Sequence, residues 1–291
     1  MNLPEQLGFE TRYFDLPGLR IHAAVAGPDN GPLVILLHGF PEFWYSWRHQ
    51  IGPLARAGYR VVAPDQRGYN LTGKGAPYDL RTLTTDVTQL MDACGSEKAR
   101  IAGHDWGGAV AWALAAYRPE RVARLAILNA PHAIPFARAL RGGSARQMLR
   151  SWYVFFFQLR GLAEWSLRWR NFAALQGVLT NTANAGTFTA VDIERYKDSW
   201  AQSGALAGML GWYRAMFRAR RGGSGAGRSK PVTVPTILLW GERDAALGVE
   251  LAVQSAQWLA NGKLIRFPDA THWLHEDNPE EITRQLLDHW L

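Results

Sequence analysis

Cysteine is almost absent: Cys94 stands alone among 291 residues, so no disulfide can close within the chain. Lysine is scarce too, with five residues against 27 arginines. No apolar run reaches the ~20 residues that span a bilayer. The opening MNLPEQLGFE has neither the basic stretch nor the apolar core of a secretory signal. A cytoplasmic protein without membrane insertion is therefore expected. What is present is globular composition, 47% hydrophobic and 20% charged residues, which excludes disorder, collagen and coiled coil. The length allows one large α/β domain with an insertion, or two smaller domains. The net charge of +7 raises nucleic acid or a membrane surface as partner classes. The arginines are spread along the chain, however. Their densest stretch, RARRGGSGAGRSKP at 218–231, reads as a solvated flexible linker. No helix-turn-helix, zinc-finger or RNP pattern accompanies it, so no nucleic acid is expected. A homodimer is left open.

Short apolar runs alternate with helical patterns in the first half, which argues for a parallel sheet with crossover helices. Residues 9–16 and 19–26 read as a leading hairpin. LVILL (33–37) is a continuous apolar run, as expected of a strand buried on both faces. A helix over 44–57, a strand over 59–63, a helix over 83–93, a strand over 100–103, a helix over 107–117 and a strand over 124–128 follow. The rhythm breaks near Pro131. From there to Pro231 aromatic residues recur at helical spacing, as in SWYVFFFQL, AEWSLRWR and GMLGWYRAMF. The rhythm returns with TILLW (236–240), a helix near 250–260, a strand over 263–267 and a helix opening at Pro279. The expected organisation is a core of 1–131 and 232–291, interrupted by a helical lid over 132–231.

Three groups of residues carry chemistry. Gly103-His104-Asp105-Trp106-Gly107 follows a strand and opens a helix. Small residues on both flanks permit a strained turn that exposes its central side chain, here an aspartate in the place usual for serine. A carboxylate can attack carbon and form an ester. A plain helix-capping role for Asp105 is the alternative. His38-Gly39-Phe40-Pro41-Glu42 follows the LVILL strand, and with the first motif it outlines an oxyanion hole from the N–H groups of Phe40 and Trp106. Asp244 and His272 lie in loops after later strands, in the chain order nucleophile, acid, histidine. His272 is the expected general base and Asp244 its orienting acid, with His275 and Glu242 as rivals.

HGFPEFWYSW, APDQRGYN, GHDWGG and THWLHEDNP resemble the α/β-hydrolase-fold epoxide hydrolases over nearly the whole chain. The resemblance implies a mostly parallel central sheet with helices on both faces and an inserted helical lid. It also implies two lid tyrosines that hold the epoxide oxygen. SWYVFFFQ is similar to the first lid motif and GWYR to the second, which places them at Tyr153 and Tyr213. Tyr196, Tyr45 and Tyr78 are lesser candidates. His104 resembles a supporting residue rather than a reacting one. Thr271 departs from the family, where glycine commonly precedes the histidine. No metal or organic cofactor is implied.

The expected activity is conversion of a lipophilic epoxide and water to a vicinal diol through an ester on Asp105. Phe40, Trp106, Tyr153 and Tyr213 would contact this small-molecule substrate. Trp44, Trp152, Trp165, Phe155, Phe156 and Trp212 point to an apolar pocket, although lid packing accounts for many of them. A haloalkane or fluoroacetate dehalogenase is the enzymatic alternative. The former shares Trp106, but Phe40 occupies the place of a second halide donor, and the latter carries arginine after the nucleophile. A catalytically idle ligand-binding protein on the same fold is the alternative of another class.

Overall fold

Apolar runs too continuous to face water on either side belong in the middle of a sheet, and that is where they lie. The computed structural model describes residues 8–221 and 230–291. Its strands are β1 (Glu10–Leu16), β2 (Leu19–Ala26), β3 (Leu33–Leu37), β4 (Arg60–Pro64), β5 (Ala99–His104), β6 (Val122–Leu128), β7 (Thr236–Gly241) and β8 (Gly262–Phe267). They pair in the order β1-β2-β4-β3-β5-β6-β7-β8. β2 runs antiparallel to both β1 and β4, and every other pairing is parallel. All five residues of β3 and all six of β7 are buried, whereas the edge strands β1 and β8 keep much of their length exposed.

The strand order dictates where the helices go. Helix α1 (Arg48–Arg56) carries the chain from β3 sideways to β4. Helices α2 (Leu80–Ala93) and α3 (Asp105–Tyr117) carry it in the opposite direction, to β5 and β6. Right-handed crossovers in opposite directions cover opposite faces. The direction reverses between β3 and β5, so their carboxyl ends flank a crevice where α/β sheets hold ligands. The Asp79 side chain caps α2 by accepting the Thr82 N–H at 3.1 Å. Helix α3 is apolar on nearly every side and, apart from the partly exposed Ala109, buried from Gly107 to Ala116, as such a helix must be.

Between β6 and β7 the described chain holds helices and no strand: α4 (Ala133–Arg138), α5 (Ala145–Arg150), α6 (Trp152–Phe156), α7 (Leu162–Thr180), α8 (Ala190–Ala201) and α9 (Ala205–Arg221). Helix α7 is interrupted at Trp169–Phe172, where Arg170, Asn171 and Phe172 take positive φ. Buried hydrogen bonds fasten this insert to the loops above the sheet, among them Trp200 Nε1–H to the Pro41 carbonyl at 2.6 Å, Trp212 Nε1–H to the Arg67 carbonyl at 2.9 Å, and Tyr45 O–H to Asp192 at 2.7 Å. The chain closes with α10 (Val249–Ala256), α11 (Leu274–Asp277) and α12 (Pro279–Trp290), the last packed on α1.

Element boundaries differ from expectation where local turns intervene. The helix expected over 44–57 begins as a 3-10 turn at Trp44–Trp47. The one expected to reach 260 ends at Ala256. The basic stretch expected to be a linker begins as the last turn of α9 at 218–221, and its residues 222–229 lie outside the described residues.

Candidate active site

The site is assembled at the carboxyl ends of five parallel strands. β5 delivers Asp105, whose φ of +47° is a left-handed conformation that a side-chain-bearing residue adopts only under constraint. Its glycine neighbours show the constraint. A Cβ on Gly103 would lie 2.4 Å from the Gly107 carbonyl oxygen, and one on Gly107 would lie 2.2 Å from that of Leu37. The strained turn is thus pressed against β3 by backbone alone. The loop after β3 answers it: the Phe40 N–H donates to Asp105 Oδ1 at 2.9 Å. The Trp106 N–H lies in the first turn of α3, where the helix offers its amides no partner.

β8 and β7 deliver the histidine and its partner. His272 Nε2 stands 3.7 Å from Asp105 Oδ2, and its Nδ1 meets Asp244 Oδ2 at 2.6 Å. Asp244 is fully enclosed by donors. The Ala246 and Leu247 N–H groups reach Oδ1 at 2.7 and 2.8 Å, and Asn129 Nδ2 reaches Oδ2 at 2.7 Å. Burial raises the Asp244 carboxyl, but the facing imidazolium and these donors outweigh it and hold the group below the usual carboxylate range. For His272, burial disfavours the charge, while Asp244 and then Asp105 favour it, leaving the imidazole at about 9.

The insert supplies an aromatic roof. The rings of Tyr153 and Tyr213 are 5.9 Å apart at 81°, and Tyr213 also packs edge-on against Phe40 at 5.3 Å and Trp106 at 5.1 Å. Burial raises both phenols far above their ordinary value, and the Asp105 carboxylate adds to the shift. The Trp106 indole, edge-on to the Tyr213 ring, pulls the other way.

The remaining candidates stand elsewhere. Glu242 pairs with Arg266 at 2.7 Å on a half-exposed surface. His275 is buried beside Glu42, 3.3 Å away. Tyr45 and Tyr196 are engaged with Asp192 and Glu276, and Tyr78 donates to the Lys74 carbonyl. Thr271 does not disturb the loop, because its N–H and O–H both donate to Asp277, at 2.7 and 2.6 Å. Trp44 and Trp212 are buried, but Trp152, Trp165 and Phe155 are exposed. Helical spacing brings the aromatics onto the insert without saying which side meets the core.

Two supporting groups went unassigned in the sequence. Asn129, at φ +39°, braces Asp244 and also holds both the N–H and the carbonyl of Gly241. A polar residue directly after the buried strand RLAIL was the available signal. Glu42 lies in the HGFPE motif. Its Oε2 accepts from the Gly39 N–H at 2.7 Å and meets His104 Nδ1 at 2.7 Å, while His104 Nε2 donates to the His272 carbonyl at 2.9 Å. Both His104 nitrogens therefore face oxygen atoms. Glu42, His104 and His275 offer ligand atoms within 4.8 Å of one another, the set among the described residues that could hold a metal ion; all three are buried, and Glu42 and His104 are already engaged.

A model of the alpha/beta hydrolase fold family matches residues 32–279. The chain is 38% identical over 280 residues to epoxide hydrolase 4 of Homo sapiens, covering 92% of this chain and 75% of the human one. A solved Bacillus megaterium epoxide hydrolase in complex with an inhibitor aligns with a TM-score of 0.87 at 28% identity, over 96% of this chain and 99% of that one. The chain belongs to the α/β-hydrolase-fold epoxide hydrolase family. It is also 41% identical over 285 residues to the AB hydrolase superfamily protein YfhM of Bacillus subtilis, covering 97% of this chain and 98% of that one. The strained turn and the donor-enclosed carboxylate bring Asp105, His272 and Asp244 together in one crevice.

Proposed function

We propose that the protein hydrolyses a lipophilic epoxide to a vicinal diol through a covalent ester on Asp105. One observation carries the reading: a carboxylate, not a hydroxyl, sits on the strained turn, with His272 at 3.7 Å on one side and two phenols roofing the other. Asp105 attacks an epoxide carbon, the C–O bond breaks, and Tyr153 and Tyr213 hydrogen-bond and protonate the released oxygen. Their raised pKa keeps them protonated, and an alkoxide is a stronger base still.

Esterification removes the Asp105 charge. His272 then loses one of the two carboxylates that stabilise its proton, so its pKa falls and Nε2 becomes available as a base. It takes a proton from water, which attacks the ester carbonyl carbon. The oxyanion rests on the Phe40 and Trp106 N–H groups. Collapse releases the diol, whose oxygen takes the proton from His272, and leaves Asp105 as the free acid; its proton returns to the tyrosinate that gave one up at ring opening, which restores both the carboxylate and the phenol. The dehalogenase alternative is disfavoured by the pair of roofing phenols, since an opening epoxide needs a proton on its oxygen and a departing halide does not.

The test pairs a diol-formation screen over styrene oxide, fatty-acid epoxides and small aliphatic epoxides, with haloalkanes as controls, with trapping in His272→Gln. Diol formation and an adduct on Asp105 detected by intact-protein mass are expected. A folded His272→Gln protein that never alkylates, or halide release without diol formation, would overturn the reading.

A further inference from the structure

Residues 148–169 of the insert are apolar on two opposite sides. Val154, Phe157 and Leu167 point inward and are buried in the core. Leu149, Trp152, Trp165 and Trp169 point outward and are 77%, 64%, 62% and 54% exposed. The segment spans the end of α5, all of α6 and the start of α7, and large apolar side chains left exposed together mark an interaction site. The outward indoles are ordered on one another: Trp165 and Trp169 stack with ring centroids 6.3 Å apart, and the Arg170 guanidinium lies 4.4 Å from the Trp169 ring centre.

The charge around this face has one sign. Residues 146–170 carry five arginines and one carboxylate, Glu164, which is tied to Arg214 at 2.6 Å. Among the described residues, Arg146, Arg150, Arg160 and Arg168 form no ion pair with a carboxylate. Indoles partition to the boundary between headgroups and acyl chains, and guanidinium groups match phosphate in a bidentate fork. A second copy of the chain fits less well, since an isologous contact would set these arginines against themselves.

We propose that this outer face of the helical insert docks the protein peripherally on an anionic lipid surface. Docking is measured without substrate, so it stands or falls apart from the epoxide reaction. The full chain is mixed with vesicles of phosphatidylcholine alone, or of phosphatidylcholine and phosphatidylglycerol in equal parts, and floated on a density gradient. Binding to the mixed vesicles is expected, with a blue shift of tryptophan emission and weakening as salt rises. Trp165→Ser/Trp169→Ser should lower the partition coefficient about tenfold or more while leaving the circular dichroism unchanged. Arg160→Gln and Arg168→Gln should lower it about fivefold each. Absence of binding to mixed vesicles at low salt, or equal binding by the tryptophan variant, overturns the proposal. So does a wild-type dimer that the tryptophan variant dissolves while neither protein binds vesicles, which would make the face a self-association surface.

Discussion

In the proposed mechanism Tyr153 and Tyr213 share one task from two helices, so each would partly cover for the other. Tyr153→Phe and Tyr213→Phe should each slow alkylation of Asp105, and the double change should lose roughly 3–4 kcal/mol or more of transition-state stabilisation. Ester hydrolysis should change little, because its oxyanion lies at Phe40 and Trp106. Pre-steady-state tryptophan fluorescence separates the two steps, and near-normal alkylation in the folded double variant would remove the tyrosines from the mechanism. Asp244→Asn should have the opposite profile. The Ala246 and Leu247 N–H groups demand an acceptor, so the new amide must turn its NH₂ toward His272 Nδ1 and Asn129 Nδ2. His272 then holds its proton on Nε2 and cannot accept one from water. Hydrolysis of the ester should slow by up to about 10⁴-fold, with alkylation less affected, and accumulation of adduct by mass is the readout.

Helix α3 owes its position to the absence of side chains at its start. Gly107→Ala would set a methyl group 2.2 Å from the Leu37 carbonyl oxygen, and a backbone oxygen in a central strand cannot swing aside. The helix must back away, carrying Asp105 with it. The expected destabilisation is about 1–3 kcal/mol or more by urea unfolding, together with a loss of alkylation. Gly177→Ala in α7 is the contrasting case. Its added methyl meets only the end of the Asn181 side chain, at 3.3 Å. Replacing a helical glycine there should leave stability unchanged or raise it by up to about 1 kcal/mol. Equal losses from both changes would show that helix position is not governed by these contacts.

Across the whole molecule, the buried His272 couples folding to pH. Its folded pKa, about 9, is above the unfolded 6.5, so the folded state holds a proton that the unfolded chain has released. That stabilisation is complete below pH 6.5 and is lost as pH rises through about 9. It amounts to at most about 3 kcal/mol. Urea unfolding at a series of pH values should show the decline in wild type and a flatter profile in His272→Gln. An equally steep decline in the variant would assign it to other groups.

Local pattern was enough for most of the elements and for marking Asp105, Asp244 and His272 as candidates, which the fold brings together. LVILL read as a central strand because a strand buried on both faces shows a continuous apolar run, and TILLW read as a strand where the alternation of strands and helices resumes. Asp105 read as a nucleophile because a strained turn needs its small neighbours nearby in the chain. What the sequence alone could not determine involves residues far apart. Asn129 lies 115 residues from Asp244, and Glu42 lies 62 from His104, so no spacing rule connects either pair. The outward direction of Trp152 and Trp165 was hidden for the same reason. The segment is apolar on both sides, and only packing of the insert against the sheet decides which side is buried and which meets the surroundings.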